Sequence, residues 1–262
     1  MKVSVITATW NSADTIADAL ISLREQDYPK LECIVIDGQS RDATLDIVRS
    51  FEDVVTTVVS EKDSGIYDAL NKGISLATGD VVGFLHSDDI LAHSSVISHI
   101  VNGFSRDSVD AVFGDLQYVS KDDTSQVIRY WKSGEYSRKK LMRGWMPPHP
   151  TFYMKKECYD NIGAFDLSFK IAADYDAILR YYFKYKIISQ YIPEVLVKMR
   201  LGGVSNRSLR NIIQKSSEDF RALVGNGLPP LRVLLFKNIM KVPQLYPQLI
   251  DKRNKRYYPL QL

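Results

Sequence analysis

The chain has 262 residues, of which 45% are hydrophobic and 25% charged, the ordinary composition of a globular protein with a sizeable core. This composition excludes fibrous, collagen-like and wholly disordered proteins. The net charge of +3 is unevenly spread, because residues 207–262 carry +8 and the rest of the chain −5. An acidic body with a basic tail argues against nucleic acid as the main ligand, since a protein that reads phosphate backbones also needs basic charge on its folded body.

The two cysteines, Cys33 and Cys158, lie in no pattern typical of a zinc site and are too few to staple the chain. We therefore expect a reducing compartment, the cytoplasm. No apolar run approaches the roughly 18 residues of a membrane-spanning helix. The N-terminal residues enter a strand at once, and they lack the long apolar region of a signal peptide.

Apolar, β-branched runs alternate with helical patterns through the first half of the chain. This alternation predicts consecutive βαβ units around a mostly parallel, doubly wound sheet, an α/β fold. The predicted strands are residues 3–7, 32–36, 54–59, 81–85 and 111–113, and the predicted helices are residues 13–23, 43–51, 67–76 and 94–104.

The second half is less regular. It predicts a hairpin strand and turn at 117–123, a strand at 151–154, a helix from about 156 and another at 173–185. The Pro-Pro-His-Pro stretch before residue 151 forces an extended segment, because proline keeps the preceding residue out of the α region. After residue 211, two helical patterns flank a break at 225–230.

Polar clusters follow each of the first four predicted strands, at residues 7–11, 37–42, 63–73 and 86–89. In an open parallel sheet, ligands bind at the carboxyl ends of the strands. Asp88 and Asp89 follow a buried strand, and two adjacent acids there suit a divalent cation. Three of these clusters have a plainer interpretation, because Asp37 fits a turn, Asp63 fits a turn and helix cap, and the Asp88-Asp89 pair fits a helix cap.

The ordered motifs resemble those of family 2 glycosyltransferases, which have the GT-A fold. The resemblance covers about residues 1–205 and rests on VSVITATWN (3–11), VIDGQSRDAT (35–44), SGIYDALNKGI (64–74), ATGD (77–80) and FLHSDD (84–89). Farther on, GAFD (163–166), ADYDAILR (173–180) and GGVS (202–205) are similar to the acceptor half of bacterial members that build surface polysaccharides. We therefore divide the chain into a nucleotide-sugar half (1–115), an acceptor half (116–205) and a basic, amphipathic helical extension (206–262).

The resemblance implies an inverting transfer from a nucleotide-diphosphate sugar, with Mn²⁺ or Mg²⁺ as cofactor. A UDP-hexose or UDP-N-acetylhexosamine is the expected donor, on family frequency alone. Asp89 is expected to bind the metal on the diphosphate, and Asp88 the ribose or the metal. The other residues given donor-binding roles are Thr7, Thr9, Asp37, Lys72 and His149.

Asp174 matches the family's catalytic base, which takes the proton of the attacking acceptor hydroxyl. Its plainer interpretation is an acid in the first turn of a helix, where the helix dipole favours it, and Asp176 shares both interpretations. Two positions depart from the family pattern. Gly38 stands where many members have a second acid that reads the base, and His86 stands where a small polar residue is common. The glycines at 202–203 suit either a mobile lid or a surface loop.

The expected acceptor is a glycan on a lipid-diphosphate carrier, in assembly of an O-antigen, capsule or exopolysaccharide. Such an enzyme works at the inner face of the cytoplasmic membrane. Residues 228–262 combine apolar residues with recurrent Lys and Arg and a basic run at 252–256, which suits contact with an anionic membrane surface. Packing of the same helix on the catalytic domain is the alternative, and both can hold.

Two other classes of protein remain to be weighed. A non-catalytic nucleotide-sugar-binding module of the same fold would lack Asp89 or Asp174, and both are present. A sugar-phosphate nucleotidyltransferase needs a glycine-rich loop after the first strand to hold a triphosphate, and residues 7–12 contain no glycine.

Overall fold

The computed structural model describes residues 1–201 and 209–239. Within them, the strands are β1 (Val3–Thr9), β2 (Leu31–Asp37), β3 (Val55–Ser60), β4 (Val81–Phe84), β5 (Asp89–Leu91), β6 (Ala111–Val119), β7 (Val127–Trp131), β8 (Tyr153–Lys155) and β9 (Ser189–Arg200). The helices are α1 (Ile16–Arg24), α2 (Thr44–Arg49), α3 (Ile66–Leu76), α4 (Val96–Gly103), α5 (Arg138–Leu141), α6 (Lys156–Ile162), α7 (Ala173–Leu179), α8 (Leu209–Gly225) and α9 (Pro230–Ile239).

The strands form one sheet in the order β3-β2-β1-β4-β8-β6-β9-β5, with β7 paired to β6. β1 pairs in parallel with β2 and β4, and β2 with β3, which confirms the predicted doubly wound half. Alternate residues of β1 face opposite layers: Val3 and Val5 pack in the cluster with α1 and α4, and Ile6 and Ala8 in the cluster with α3 and α7. The sheet therefore has an apolar core on both faces, and its polar groups collect at the strand ends.

The second half continues the same sheet with mixed strand directions. β8 runs antiparallel to β4 and β6, and the hairpin predicted at 117–123 joins β6 to β7. The sequence did not predict β9, which pairs with β6 and β5. Its register against β6 shifts between Phe113 and Asp115, next to Pro193, so the proline stands at an irregularity. Proline inside a polar, interrupted run usually argues against a strand. The sequence pattern of this segment therefore did not indicate β9.

Helix α7 is shorter than predicted, because the chain continues after it as a π-helical turn at Arg180–Lys184. The two helical patterns predicted after residue 211 are present as α8 and α9. Ala222, Leu223, Leu228 and Val233 lie fully buried in the core cluster of α7. The described part of the extension thus packs on the catalytic body, while the basic run at 252–256 lies outside the described residues. None of the described helices is both long and apolar enough to cross a bilayer.

A buried carboxylate fastens the amino end of the central strands. Glu32 accepts hydrogen bonds from Lys2 Nζ (2.6 Å), Ser4 Oγ (2.5 Å) and Thr78, through its amide (2.9 Å) and its hydroxyl (2.6 Å). Burial raises the pKa of this carboxyl, but the hydrogen bonds outweigh burial and lower the pKa to about 2. Glu32 therefore joins β2, β1 and the loop before β4 as an anion.

We expect Glu32→Gln to lower the free energy of unfolding at pH 7 by about 2–3 kcal/mol, because the neutral amide cannot accept the same set of bonds. Since folding lowers this pKa, the stabilisation is present above pH ~4.5 and is lost as the pH falls towards 2. Denaturant unfolding of both proteins between pH 7 and 2.5 measures the difference. A difference that does not shrink with acidification would contradict the role of the charge.

Candidate active site

Hydrogen bonds join three loops at the carboxyl ends of the strands. Ser12 Oγ lies 2.9 Å from Ser87 Oγ, which joins the loop after β1 to the loop after β4. The Asn11 amide donates to Ser40 Oγ (2.8 Å), and Arg41 N donates to Asn11 Oδ1 (2.8 Å). The expectation that the polar clusters meet at one edge of the sheet is thus confirmed for these loops.

A cavity of about 440 Å³ opens between the loops, lined by Trp10, Asn11, Gly38, Gln39, Arg41 and Lys62. Trp10 is 66% exposed, and its side chain lines this space. Asn11 and Gln39 have positive φ angles (48° and 60°), a conformation that costs energy outside glycine and that recurs at binding sites. A flat aromatic face beside two cationic side chains suits a planar ring carrying phosphates.

Gly38 leaves room for an acid from another loop. A Cβ built at Gly38 would lie 2.7 Å from Asp63 Oδ2, so the Asp63 carboxylate occupies the space that a side chain at 38 would fill. Asp63 Oδ1 also accepts the Gly65 amide (3.0 Å), as expected of a turn residue. The acid missing at position 38 therefore has a spatial substitute in the loop after β3.

Several residues expected to contact the nucleotide are enclosed instead. Thr7 has no exposed surface and Thr9 is 5% exposed, and neither hydroxyl has a hydrogen-bond partner. Asp37 is fully buried, and it accepts the Ser40 amide (3.0 Å), Ser40 Oγ (2.5 Å) and Ser60 Oγ (2.6 Å). Its carboxylate shapes the loop that carries Gly38 and Gln39. Trp10 and Asn11, which follow the two threonines, are the residues of this segment that line the cavity.

Lys72, also expected to bind the donor, lies in α3, and its side chain contacts the loop before that helix. Its Nζ pairs with Glu61 Oε1 (2.8 Å) and Asp68 Oδ2 (3.4 Å) and donates to the Lys62 carbonyl (3.2 Å). The Glu61 partner raises the pKa of this ammonium. Lys72 therefore orders the segment that presents Lys62 to the cavity.

His86, Asp88 and Asp174 form the electrostatic centre of the site. Burial lowers the pKa of His86, and the negative charges of Asp88 and Asp174 oppose that shift. His86 Nδ1 is buried and has no hydrogen-bond partner among the residues that the structure describes. The sheet and α7 thus bring together an acid from each half of the chain.

His149 lies beside this centre. Its ring stacks on Phe84 with 5.1 Å between centroids, and it lies 5.9 Å from the His86 ring. Burial, and secondarily His86, lower its pKa to about 3, so the ring is neutral at physiological pH. Its Nε2 is buried and receives no hydrogen bond from any residue in 1–201 or 209–239. A neutral imidazole with a free ring nitrogen can still exchange one hydrogen bond with a ligand.

Asp89 points into the protein, unlike Asp88. It is 1% exposed, and its Oδ1 accepts the Arg200 amide (3.3 Å) at the end of β9. Burial, and then the neighbouring Asp88, raise its pKa well above the ordinary value. The Arg200 guanidinium holds the same turn by donating to the Asp88 carbonyl (2.9 Å) and pairing with Asp18. Sequence patterns predicted overlapping roles for Asp88 and Asp89, and their different burial distinguishes them.

The two candidate bases on α7 also have different surroundings. Asp174 is half-buried, and its Oδ1 accepts the Tyr67 hydroxyl (3.1 Å) and the Tyr175 amide (2.8 Å). Asp176 is bonded to Asn226 Nδ2 (2.8 Å) at the turn between α8 and α9, and burial raises its pKa. Asp174 therefore faces the His86 group, while Asp176 joins α7 to the C-terminal helices.

A carboxylate from α8 supports the segment before Asp174. Glu218 is buried and accepts the backbone amides of Lys170 (3.1 Å), Ile171 (2.8 Å) and Ala172 (2.9 Å). Burial alone raises its pKa, but the Ile171 amide and its other donors bring the pKa below the ordinary value. These amides would otherwise be unpaired at the start of α7. Sequence analysis missed Glu218, Arg200 and Tyr67, because their roles depend on contacts distant in the chain.

The residues present are compatible with a divalent cation at the Asp88 turn. Asp88 supplies a carboxylate that is not fully enclosed, and Nδ1 of the neighbouring, buried His86 has no hydrogen-bond partner in the described part of the chain. Oxygen donors with an imidazole nearby suit Mn²⁺ and tolerate Mg²⁺.

We expect Glu218→Ala to speed hydrogen exchange of the Ile171 and Ala172 amides at least roughly tenfold, because their buried acceptor is lost. Ser217→Ala, one residue away on the exposed face of α8, is the matched control and should leave these rates unchanged. Exchange measured by NMR gives the result. Equal protection in both variants would show that Glu218 does not hold the segment.

Comparison with known proteins agrees with this geometry. The sequence model described as "Glycosyl transferase family 2" matches residues 4–171. An uncharacterised glycosyltransferase of Mycobacterium tuberculosis (strain CDC 1551 / Oshkosh) is 35% identical over 183 residues, which cover 68% of each chain.

Two solved structures have the same fold. Staphylococcus aureus TarS 1–349 in complex with UDP-GlcNAc superposes with a TM-score of 0.70 at 19% identity, over 92% of this chain and 73% of that one. The chain spans 39% of a longer TarS chain. The mannosyltransferase PcManGT of Pyrobaculum calidifontis, in complex with GDP-Man and Mn²⁺, gives 0.64 at 21% identity, over 92% and 70%. With the family match, the mixed α/β sheet and the relatives at 30% identity or more, the chain belongs to glycosyltransferase family 2, has the GT-A fold and is a glycosyltransferase.

Proposed function

We propose that the protein transfers a sugar from a nucleotide-diphosphate sugar to a glycan hydroxyl with inversion, assisted by Mn²⁺ or Mg²⁺. The observation that carries the proposal is that packed rings connect the Asp88 turn, in the nucleotide half, to Asp174, in the acceptor half. The His86 ring, two residues before Asp88, lies 5.9 Å from the His149 ring. The Phe165 ring packs against both His149 and Tyr67, and the Tyr67 hydroxyl donates to Asp174. A single displacement can use two carboxylates on opposite sides of the anomeric carbon. One holds the cation at the leaving diphosphate, and the other takes the proton of the attacking hydroxyl.

The cavity beside Trp10 is our proposed seat for the nucleoside. The indole face suits a base, and Arg41 and Lys62 suit the negative charge of the diphosphate. Asp63, in the space beside Gly38, is the acid available to read the base. We propose a UDP-hexose or UDP-N-acetylhexosamine as donor, with the UDP-GlcNAc bound in the TarS fold relative as support.

Asp88 is the residue we propose to hold the cation, with Asp89 enclosed behind it and Arg200 fixing the turn. A divalent ion at this place neutralises negative charge that develops on the leaving diphosphate. The Mn²⁺ in the PcManGT complex supports the metal class. His149, neutral beside the centre, is left to hydrogen-bond the diphosphate or the acceptor.

Asp174 is our proposed base. The hydrogen bonds it receives from the described residues go to Oδ1, so Oδ2 is the oxygen that takes the proton of the acceptor hydroxyl. As that proton leaves, the hydroxyl oxygen bonds to the anomeric carbon, and the bond from that carbon to the diphosphate oxygen breaks on the opposite face. The sugar is transferred with inverted configuration. Tyr67 and Glu218 keep the carboxylate and its segment in place.

We expect Asp174→Asn to lower sugar transfer by about 10²–10⁴-fold, the range of general base catalysis, and to leave donor affinity nearly unchanged. The isosteric control is Asp176→Asn, which removes an acid on the same helix and should keep transfer within about tenfold of the parent. Transfer from a panel of UDP- and GDP-sugars with Mn²⁺ is the measurement. If Asp174→Asn kept parental transfer, another residue would be the base, and if the parent itself transferred no sugar, the protein would be a binding module.

For the metal, we expect Asp88→Asn to weaken Mn²⁺ binding in the presence of UDP and to reduce transfer at least roughly 100-fold, since leaving-group stabilisation is worth several kcal/mol. Asp89→Asn should affect Mn²⁺ affinity less, because its carboxyl is enclosed and bonded to Arg200. Titration of free Mn²⁺ by electron paramagnetic resonance compares the two variants. Loss of Mn²⁺ binding in Asp89→Asn alone would reverse the two roles.

The acceptor we propose is a glycan on a lipid-diphosphate carrier, used in O-antigen, capsule or exopolysaccharide assembly at the inner face of the cytoplasmic membrane. The extension supports this proposal. Val233 and Lys237 of α9 pack inward, where Lys237 pairs with Asp219 (2.8 Å), but Leu231 and Leu235 are 78% and 60% exposed one turn apart. An exposed apolar pair next to a basic tail suits an anionic membrane surface.

We expect the full chain to sediment with vesicles containing anionic lipid at low salt and to be released by high salt. Leu231→Ser with Leu235→Ser should reduce the bound fraction several-fold, whereas Ile128→Ser, on the exposed face of β7, should not. Failure of the parent to sediment at low salt would remove the membrane contact and leave the transferase proposal untouched.

A further inference from the structure

The four histidines of the chain are sorted by the fold into two pairs. His86 and His149 meet at the site described above, and His93 and His99 meet elsewhere, with 5.5 Å between ring centroids. The second pair has no part in the proposed sugar transfer. It lies beside Glu194, whose Oε1 is 2.5 Å from His99 Nδ1.

We propose that His93, His99 and Glu194 form a second cation site, separate from the Asp88 turn and suited to Zn²⁺. One donor atom from each of the three residues lies within 4.8 Å of the others. Donors around a tetrahedral zinc, at bond lengths of about 2.0–2.2 Å, stand roughly 3.3 Å apart. Because no separation exceeds 4.8 Å, a shift of at most about 1.5 Å brings the donors to that spacing, and rotation of the exposed His93 side chain can supply it.

Three different parts of the fold supply the donors. His93 follows β5, His99 lies in α4, and Glu194 lies in β9, the strand that pairs with β5. An i,i+4 histidine pair on one helix would need only local structure. Here the carboxylate arrives from a strand 95 positions away from His99, so tertiary packing builds the set.

Neighbouring groups already orient the most exposed donor. His93 Nδ1 lies 3.0 Å from Ser95 Oγ, and the His93 carbonyl accepts Gln26 Nε2 (2.9 Å). Histidines that bind metal commonly use one ring nitrogen for the ion and fix the other by a hydrogen bond to an oxygen. With Nδ1 engaged, Nε2 of His93 is the nitrogen available to the ion.

The donor chemistry selects the class of ion. Two imidazoles and one carboxylate suit Zn²⁺, and three protein ligands leave a position for water. Mg²⁺ prefers oxygen ligands, so it competes poorly with Zn²⁺ for this site. The alternative is that no ion binds and that His99 and Glu194 form only a hydrogen-bonded pair. That pair is partly exposed, and an exposed ion pair contributes little to stability.

An ion at this site would tie α4 to β9. The strand pair beside it carries Asp89 opposite Met199, with Arg200 next in the chain, so the ion would also stabilise the strands behind the Asp88 turn. A ligand that binds the folded chain alone raises its stability in proportion to the logarithm of its concentration. The role we infer is therefore structural.

Calorimetric titration of the full chain with Zn²⁺, in millimolar Mg²⁺ at neutral pH, tests the site. We expect about one Zn²⁺ per chain that does not depend on the Asp88 turn, and a loss of affinity of roughly tenfold or more in His93→Ala, His99→Ala and Glu194→Gln. His86→Asn is the matched control, because it removes a histidine from the other pair, and it should retain this affinity.

Thermal unfolding keeps the test independent of folding defects. Without Zn²⁺ the variants should melt near the parent, and Zn²⁺ should raise the Tm of the parent and of His86→Asn but not that of His93→Ala with His99→Ala. The proposal is wrong if the parent binds no Zn²⁺, if the double variant binds it as tightly as the parent, or if His86→Asn is the variant that loses it.

Discussion

The buried Arg200 guanidinium is the contact on which the geometry of the site depends. It pairs with Asp18 of α1, donates to the Asp88 carbonyl and contacts the Lys121 carbonyl, while its backbone amide donates to Asp89. One side chain therefore joins the first helix, the acidic turn and the end of β9. A buried guanidinium is stable only when ion pairs and hydrogen bonds compensate its lost hydration. The same contacts fix the positions of the groups that it binds. The end of β9 is thereby joined to α1 and to the turn that carries Asp88.

Burial gives chemically identical groups different tasks. Asp88 stays accessible beside His86, whereas Asp89, one residue later, is enclosed and its pKa is raised. Asp174 faces the same centre, whereas Asp176 bonds Asn226. In each pair the strand or helix turns the second side chain away from the cleft. Whether a carboxylate at this edge can reach a ligand depends on the side of the backbone from which its side chain projects. The spacing of residues in the sequence indicates that side only in part.

The sequence predicted the parallel half of the sheet, because each strand of that half is a compact apolar run and each helix has a regular period. It also placed the polar clusters at one edge. It could not predict β9, whose pairing tolerates Pro193 at a register shift, nor the enclosure of Thr7 and Asp37, because strand ends look alike whether they are covered or open. The exposure of Trp10 at the cavity could have been predicted from the sequence, since a tryptophan side chain is rarely buried completely.

The C-terminal helices belong to the catalytic body as much as to any surface. Glu218 pairs three amides before α7, Asn226 bonds Asp176, and Lys237 packs over the Tyr175 ring at 3.5 Å while pairing with Asp219. These contacts fall on both sides of Asp174 in the chain. A helix that binds a membrane through Leu231 and Leu235 would thereby be linked rigidly to the base. Orientation of the enzyme on a lipid surface and orientation of its base towards an acceptor on that surface would then be set by the same two helices.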